Sequence, residues 1–254
     1  MRMYSAFFKK ELTEITRTYK LFVLLAVFVL LGIMNPVMAK VMPDILKSVM
    51  PKGISITLAT PTAFDSWAQF FKNASQTGLI IVVIIFSGIM SNEFSKGTLI
   101  NMLTKGLSRP VVILSKFTAA LSVWSASYIL CFSVTYYYTD YFWHKANIEN
   151  LYLSAAGLWV FGAFLIASLI LGGVLFTNHF GGLLFTFGLV AVSMMISIAP
   201  ELKKINPASL ATLNTGLLSR QVDSAVFYPA IAVTGGLTVI FIILSVFLFN
   251  KKQI

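Results

Sequence analysis

Six apolar runs dominate the 254-residue sequence and restrict the folds open to it. A helix needs about 20 predominantly apolar residues to cross a bilayer. All but the short second run approach that length, and none alternates as barrel strands do. The chain is 57% hydrophobic and 11% charged, whereas a soluble domain is roughly 45–50% apolar and about 25% charged. We therefore predict an all-α integral membrane protein with a single transmembrane domain, 1–254. Its six predicted spans are residues 21–38, 77–90, 117–138, 154–176, 181–199 and 229–249.

Lysine and arginine are concentrated in one set of connecting segments. The segment before span one, the link between spans two and three, and the end after span six are short and rich in these residues. This bias predicts that both termini are cytoplasmic. The net charge of +10 is then explained by the basic residues that keep these segments on the cytoplasmic side. The expected partner is therefore the lipid bilayer and not nucleic acid.

The first twenty residues have an amphipathic pattern. Phe7, Phe8, Leu12 and Ile15 recur at helical spacing, with charged residues between them. The pattern predicts an interfacial helix over 1–20 on the cytoplasmic surface. A solvated leader to span one is the alternative.

Two predicted outer segments also carry apolar stripes. The first, 39–76, is predicted to be a long loop whose aromatic residues anchor at the membrane interface. The second follows Asn206-Pro207 and is predicted to be a short helix, which either dips into the membrane edge or packs on its own bundle. The stripes consist of Phe64, Trp67, Phe70 and Phe71 in the first segment, and Leu210, Leu213 and Leu217 in the second.

The short link "TNHF" between runs four and five predicts a tight hairpin. Five glycines in its two helices would allow close helix approach. They are Gly172, Gly173, Gly181, Gly182 and Gly188.

Several kinds of chemistry are missing from the sequence. It contains no G-x-x-x-x-G-K-[ST] motif, so the chain is not expected to hydrolyse ATP by itself or to be an enzyme. His144 and His179 lie in predicted loops on opposite faces without a Cys/His cluster, so neither a metal site nor a cofactor of this chain is expected. No predicted span carries an acid or histidine near its centre, which argues against an ion-coupled transporter.

Span three carries mild polar and aromatic side chains. Ser122, Trp124, Ser125 and Tyr128 are candidates for a cargo path. Such a path suits an amphipathic molecule better than a bare ion. Contacts between helices are the alternative role for these residues.

The charged link 92–109 has the features of a short helix. Thr98 is a suitable N-cap, and Gly106 suits the C′ position that ends the helix. Leu99, Ile100 and Leu103 share one face. Pro110 fits the first turn of the next helix. A helix this short is only marginally stable alone in water. Its apolar face must therefore be covered, either by the bundle of the same chain or by a partner protein.

Glu93 lies just past the C-terminal end of predicted span two, where the helix dipole disfavours an anion by about 0.3–1 kcal/mol. We therefore expect a compensating cation. Lys96, Lys105, Arg109 or an arginine of a partner could supply it, and a solvated charge is the alternative.

The same residues resemble a known family signature. Glu93, Gly97-Thr98-Leu99, Leu103 and Ser108-Arg109 resemble the E-x-x-x-G-T-L…L…S-R pattern of ATP-binding-cassette (ABC) permeases of the type-two, or type V exporter, class. The stretch "FFKKELTEITR" is similar to the connecting helix of that family. Members of that family often have proline before Ser-Arg, where this chain has Gly106-Leu107. This departure bears on the angle at which the chain enters span three, but not on the family class.

The resemblance implies that 92–109 contains a coupling helix that docks on a separate cytoplasmic ABC ATPase. Two ATPase copies would bind ATP and Mg, and a second permease copy or homologue would complete the exporter. The resemblance further implies a bacterial plasma-membrane protein. The uncharged spans, the tyrosine-rich span three and the amphipathic outer segments suggest an amphipathic or hydrophobic cargo, such as a peptide, a peptide antibiotic or a drug. Peptide exporters of Gram-positive bacteria, including those for phenol-soluble modulins, look similar in size. The implied ATPase-coupling residues are Glu93, Lys96, Gly97, Thr98, Leu99, Ile100, Leu103 and Arg109.

A membrane protein without transport activity is the alternative. Such an immunity or sensor subunit would act through protein–protein interaction. An ATPase that co-purifies with the chain would favour the exporter.

Overall fold

A computed structural model describes residues 2–49, 60–95, 97, 103–104, 106–144, 148–176 and 180–252. Every regular element within these ranges is helical. The α-helices are α1 (Arg2–Arg17), α2 (Lys20–Val49), α3 (Ala63–Asn73), α4 (Leu79–Phe86), α5 (Ser91–Ser95), α6 (Arg109–Phe142), α7 (Leu151–Leu175), α8 (Gly181–Ile196), α9 (Ser209–Thr212), α10 (Asn214–Leu218) and α11 (Phe227–Lys251). A π-helical turn, Ala74–Gly78, joins α3 to α4, and short 3-10 helices occupy Pro200–Ile205 and Ser224–Val226.

Five helical segments of the described chain are long and apolar enough to cross a membrane. They are Lys20–Leu46, Ala63–Phe94, Arg109–Phe142, Leu151–Leu175 and Ser224–Lys251. This confirms the all-helical, multi-span fold class. Predicted span five corresponds to α8, which is apolar but has only 16 residues, so a sixth crossing remains a prediction.

Helix α7 forms the centre of the bundle. In its most apolar window, 83% of the residues are buried. It packs against α11, α8 and α6, while α2 packs against α6 and α3. A Cβ added at Gly172 of α7 would lie 2.9 Å from the Gly182 Cα of α8, so these glycines permit close helix approach as predicted.

The prediction that residues 39–76 form a long outer loop is wrong over much of this range. Helix α2 continues to Val49 with Pro36 and Pro43 inside it. The second membrane helix begins at Ala63, so the predicted span 77–90 is only its second half. Most of the aromatic stripe is buried in the bundle instead of anchoring at the interface, because Trp67 and Phe70 pack against the Phe132 ring of α6.

The other membrane helices start and end near the predicted limits. Helix α6 extends the predicted span 117–138 at both ends, and it begins at Arg109 with Pro110 in its first turn, as predicted. Helices α7 and α11 match predicted spans four and six within a few residues.

Both amphipathic segments pack on the bundle. Helix α1 confirms the predicted N-terminal helix, and its Phe7 and Ile15 are buried. Leu210 and Leu217 are fully buried in α9 and α10, so the second outer segment packs on its own bundle.

Candidate functional site

Five charged side chains from three helices form one cluster at the end of the bundle where α6 begins. We call it the charge cluster: Lys10, Glu11 and Glu14 of α1, Glu93 of α5 and Lys116 of α6. The Lys116 Nζ lies 3.0 Å from both carboxylate oxygens of Glu11 and 3.1 Å from Glu93. The Lys10 Nζ lies 2.6 Å from Glu93 and 2.8 Å from Glu14. The cluster therefore joins α1 to both ends of the link between the second and third membrane helices.

The centre of the charge cluster is buried. The side chains of Lys116, Glu11 and Glu93 are 2%, 5% and 6% exposed. Lys10 and Glu14 lie nearer to solvent. Burial alone would lower the pKa of Lys10, but its hydrogen bonds to Glu14 and Glu93 dominate and raise that pKa above the ordinary value. Lys10 therefore stays protonated throughout the physiological range.

Helical periodicity explains how these residues meet. Glu11 lies midway between Phe7 and Ile15 at a spacing of four residues, so it shares the buried stripe of α1. Lys116 lies two turns into α6, on the face that α1 covers. Both charges must be buried once the apolar stripe packs, and each then needs its partner.

Three carboxylates of the charge cluster lie close together. Oxygens of Glu11, Glu14 and Glu93 fall within 4.8 Å of one another. The ammonium groups of Lys10 and Lys116 lie among them and offset two of the three negative charges. The arrangement is suited to holding helices together.

Arg109 anchors the other end of the link. Its guanidinium donates to the carbonyl oxygens of Phe249, Asn250 and Lys252, where α11 ends. It also lies over the Phe249 ring, 5.5 Å from the centroid. Lys252 donates in turn to the Val174 carbonyl near the end of α7, and burial lowers the pKa of Lys252.

Most of the predicted coupling helix lies outside the described residues. Lys96, Thr98, Leu99 and Ile100 fall there, as does Lys105. Gly97 and Gly106 have φ values of +64° and +88°, which favour glycine, and the second fits the predicted C′ position. Leu103 is partly buried against the apolar core of this same chain. The bundle therefore covers at least this residue of the predicted docking face.

Two cations near Glu93 come from residues distant in the sequence, while the candidates Lys96 and Lys105 lie outside the described residues. Lys10 and Lys116 both pair with its carboxylate. The interaction proposed for Arg109 is wrong, because its guanidinium binds the end of α11 instead. The burial of Glu93 also excludes a solvated charge in this structure.

Three of the four candidate cargo-path residues connect α6 to α7. The Trp124 indole donates to the Trp159 carbonyl at 3.2 Å, and the Tyr128 hydroxyl donates to the Ala155 carbonyl at 3.0 Å. The Trp159 indole donates to Ser125 Oγ at 2.9 Å. These contacts match the alternative role, whereas Ser122 faces outward.

The charge cluster was not predicted from the sequence. Predicted span three begins directly after Lys116, and no partner was assigned to this lysine or to Glu11 of the predicted interfacial helix. The signal available was the position of Glu11 within the stripe from Phe7 to Ile15. A charge four residues from apolar neighbours on either side lies on their face of a helix and predicts a buried partner.

Comparison with known proteins supports the transmembrane character of the chain. No protein-family model matches the sequence. The chain is 22% identical over 215 residues to YxlG of Bacillus subtilis (strain 168), described as an uncharacterized transmembrane protein, and the match covers 83% of each chain. That similarity agrees with the five apolar helices. The chain is a multi-pass membrane protein.

Proposed function

We propose that the chain is the membrane-spanning permease subunit of an ATP-driven ABC exporter. Its cargo would be an amphipathic or hydrophobic molecule such as a peptide, a peptide antibiotic or a drug. Two copies of a separate cytoplasmic ATPase would bind ATP and Mg, and a second permease copy or homologue would complete the complex in a bacterial plasma membrane. The family signature in 92–109 motivates the proposal.

The observation that carries the proposal is the anchoring of both ends of that link. Glu93 joins the link to α1 and α6 through Lys10 and Lys116. Arg109 joins it to the end of α11. A force applied at Glu93 or Arg109 would reach α1, α5, α6 and α11 through these direct contacts. That is the mechanical property that a coupling element requires.

Co-expression with a candidate cytoplasmic ABC ATPase from the same organism tests the proposal. We expect the ATPase to co-purify, and cargo to stimulate hydrolysis in reconstituted membranes. Glu93→Gln should weaken one or both effects while leaving abundance normal. This variant leaves two carboxylates, Glu11 and Glu14, for the two lysines of the charge cluster, so no net buried charge remains unpaired. Leu103→Asp places a charge on the predicted docking face and should have a similar effect; because Leu103 is also partly buried against the core, its loss of binding counts only at parental abundance.

Glu14→Gln is the matched control, because Glu14 belongs to the same cluster but its side chain is 43% exposed. It should behave like the parent. If Glu93→Gln and Leu103→Asp also bind the ATPase and respond to cargo like the parent, 92–109 is not the coupling element. Robust ATP hydrolysis by the purified chain alone would overturn the permease proposal. A stable chain without any ATPase partner would favour the immunity or sensor alternative.

The proposed topology has six crossings and both termini in the cytoplasm. It can be tested with single cysteines in a Cys131→Ser background, using Thr104→Cys and Lys204→Cys at exposed positions. In intact cells, an impermeant thiol reagent should label position 204 and not position 104. The reverse pattern would invert the topology. Labelling at both positions would mean that the number of crossings between them is even, which would contradict the three crossings proposed there.

A further inference from the structure

The second membrane helix is interrupted twice. The π-helical turn Ala74–Gly78 separates α3 from α4, and residues 87–90 form a tighter turn between α4 and α5. In that second interruption, the amides of Ser87 and Ile89 each donate to the carbonyl three residues earlier, as in a 3-10 helix. Stretches of π and 3-10 helix inside a longer helix are frequent at functional sites and hinges.

Both flanks of α4 are anchored by directional contacts. On the α3 side, Asn73 donates to Asn35 Oδ1 of α2 at 2.8 Å, and Ser75 of the π-helical turn donates to the Ala211 carbonyl of α9 at 3.1 Å. On the α5 side, Glu93 is held in the charge cluster, which joins α5 to α1 and α6. These contacts fix the two ends of the segment that contains α4.

Helix α4 itself is held differently. Its eight residues, Leu79–Phe86, are only leucine, isoleucine, valine and phenylalanine, and the helix packs against α7 and α2. Its side chains therefore hold it through apolar contacts alone, which are not directional. In a bilayer, lipid chains are as apolar as these side chains and can replace such contacts. Helix α4 is thus held less firmly than the segments on either side of it.

A cavity of about 820 Å³ beside α4 gives this helix room to move. Ile80 and Val83 of α4 line the cavity together with Phe187 and Val190 of α8, and α7 forms its back. Ile80 and Met194, which also lines the cavity, are 45% and 55% exposed, so the cavity opens to the surface of the bundle. Lipid chains can leave through this opening when the walls approach each other.

We propose that α4 is a gate that closes this cavity. It moves toward α8 as a rigid unit, and the π-helical turn and the turn at 87–90 are its two hinges. In the closed state Val83 packs against Val190, and α4 and α8 reach the interaxial distance of about 8–10 Å that packed helices have. The buried contacts of Val82 and Phe86 are then exchanged for contacts across the former cavity. The motion belongs to this chain alone, so the inference is independent of the proposed transport function.

Distances between spin labels on α4 and α8 test the gate. Ile80→Cys and Met194→Cys, both at exposed positions, are labelled in a Cys131→Ser background. The purified full-length chain is then measured in lipid nanodiscs by double electron–electron resonance. We expect two distance populations, of which the shorter belongs to the closed cavity. Val190→Trp fills the space and should remove the shorter population.

Deletion of Thr77 tests the first hinge. The i→i+5 bonds of a π-helical turn take up one residue more than α-helical bonds do. Thr77 is exposed within this turn, so its removal lets α3 continue into α4 as a regular α-helix without displacing a buried side chain. The chain should fold, and the shorter population should fall at least about fivefold, the factor that corresponds to about 1 kcal/mol.

Gly88→Ala tests the second hinge. The nearest atoms to its added Cβ are those of the Asn92 side chain, at 2.8 Å and beyond, and this side chain can rotate away. Because alanine removes the backbone freedom that glycine gives the turn, the shorter population should again fall severalfold. Gly236→Ala on α11 is the matched control, since it lies outside both hinges and nothing lies within 4 Å of its added Cβ. It should leave both populations unchanged.

A second pair of labels shows which helix moves. Met194→Cys with Ile240→Cys of α11, which is 55% exposed, joins two helices outside the hinges and should give one population. Two populations for this pair would assign the motion to α8 and overturn the proposal. A single population for the first pair in the parent would also overturn it. So would a shorter population that persists in Val190→Trp or that neither hinge variant changes. If the deletion variant fails to fold, Gly88→Ala decides the question by itself.

Discussion

The Lys116 ammonium lies 3.0 Å from both carboxylate oxygens of Glu11, a residue 105 positions earlier in the sequence. Both side chains are almost completely buried. The pair fixes the position of the N-terminal helix on the third membrane helix. Because Glu93 pairs with the same lysine, the position of α1 and the end of the second membrane helix are set together.

Lys116→Met should destabilise the chain by about 3–5 kcal/mol, because it leaves buried carboxylates short of a cation. Thermal unfolding in detergent, followed by size-exclusion chromatography, measures the loss. Lys9→Met is the matched control on an exposed position of α1 and should have little effect. Adding Glu11→Gln to Lys116→Met should restore part of the stability. Equal stability of Lys116→Met and Lys9→Met would contradict the structural role of the pair.

Gly172→Ala should destabilise the pairing of α7 and α8. The added Cβ would lie 2.8 Å from the Phe185 Cβ and 2.9 Å from the Gly182 Cα, and the latter is backbone that cannot rotate away. Overpacking of this kind costs about 1–3 kcal/mol. Gly188→Ala on α8 is the control, since nothing lies within 4 Å of its added Cβ. It should be neutral or stabilising, because alanine is the better helix former. Both are measured by thermal unfolding, and equal stabilities would rule out the close approach.

Features set by neighbouring residues were predictable from the sequence. The amphipathic α1, the start of α6 at Arg109-Pro110 and the glycine contact of α7 with α8 all follow from local spacing. The aromatic stripe near Trp67 was harder to interpret, because the same pattern suits a membrane interface or a packed helix. Its burial depends on Phe132 of α6, which no local pattern reveals.

The partners of Glu93 show more clearly what local sequence patterns cannot predict. The candidates chosen from the sequence were near neighbours, whereas Lys116 and Lys10 lie 23 and 83 residues away. Periodicity tells which face of a helix is buried but not which helix covers it. The apolar cavity was unpredictable for the same reason, since its lining comes from segments far apart in the chain.

Tyr128→Phe distinguishes a helix contact from a cargo path. Loss of the hydrogen bond to the Ala155 carbonyl should cost about 0.5–1.5 kcal/mol. Tyr137→Phe on the same helix is the control, because Tyr137 is 68% exposed. Thermal unfolding and cargo-stimulated hydrolysis by the assembled complex are measured together. Unchanged stability with altered cargo response would assign Tyr128 to the cargo path instead.

Arg109→Ala should loosen the end of the last membrane helix. The final carbonyls of a helix lack partners within it, and Arg109 supplies donors to those of Phe249 and Asn250 together with a favourable positive charge. Hydrogen bonds to a charged group contribute about 1.5–3 kcal/mol. Amide hydrogen exchange over residues 248–252 should therefore accelerate at least about tenfold.

Arg109→Lys separates the charge from the geometry of the guanidinium. Lysine keeps the charge but lacks the planar set of donors that reaches several carbonyls at once, so exchange should fall between the parent and Arg109→Ala. Arg17→Ala is the control, because Arg17 is exposed at the end of α1. If Arg109→Lys matches Arg109→Ala, the donor geometry holds the helix end. If it matches the parent, the charge alone does so, and the three-carbonyl contact contributes little.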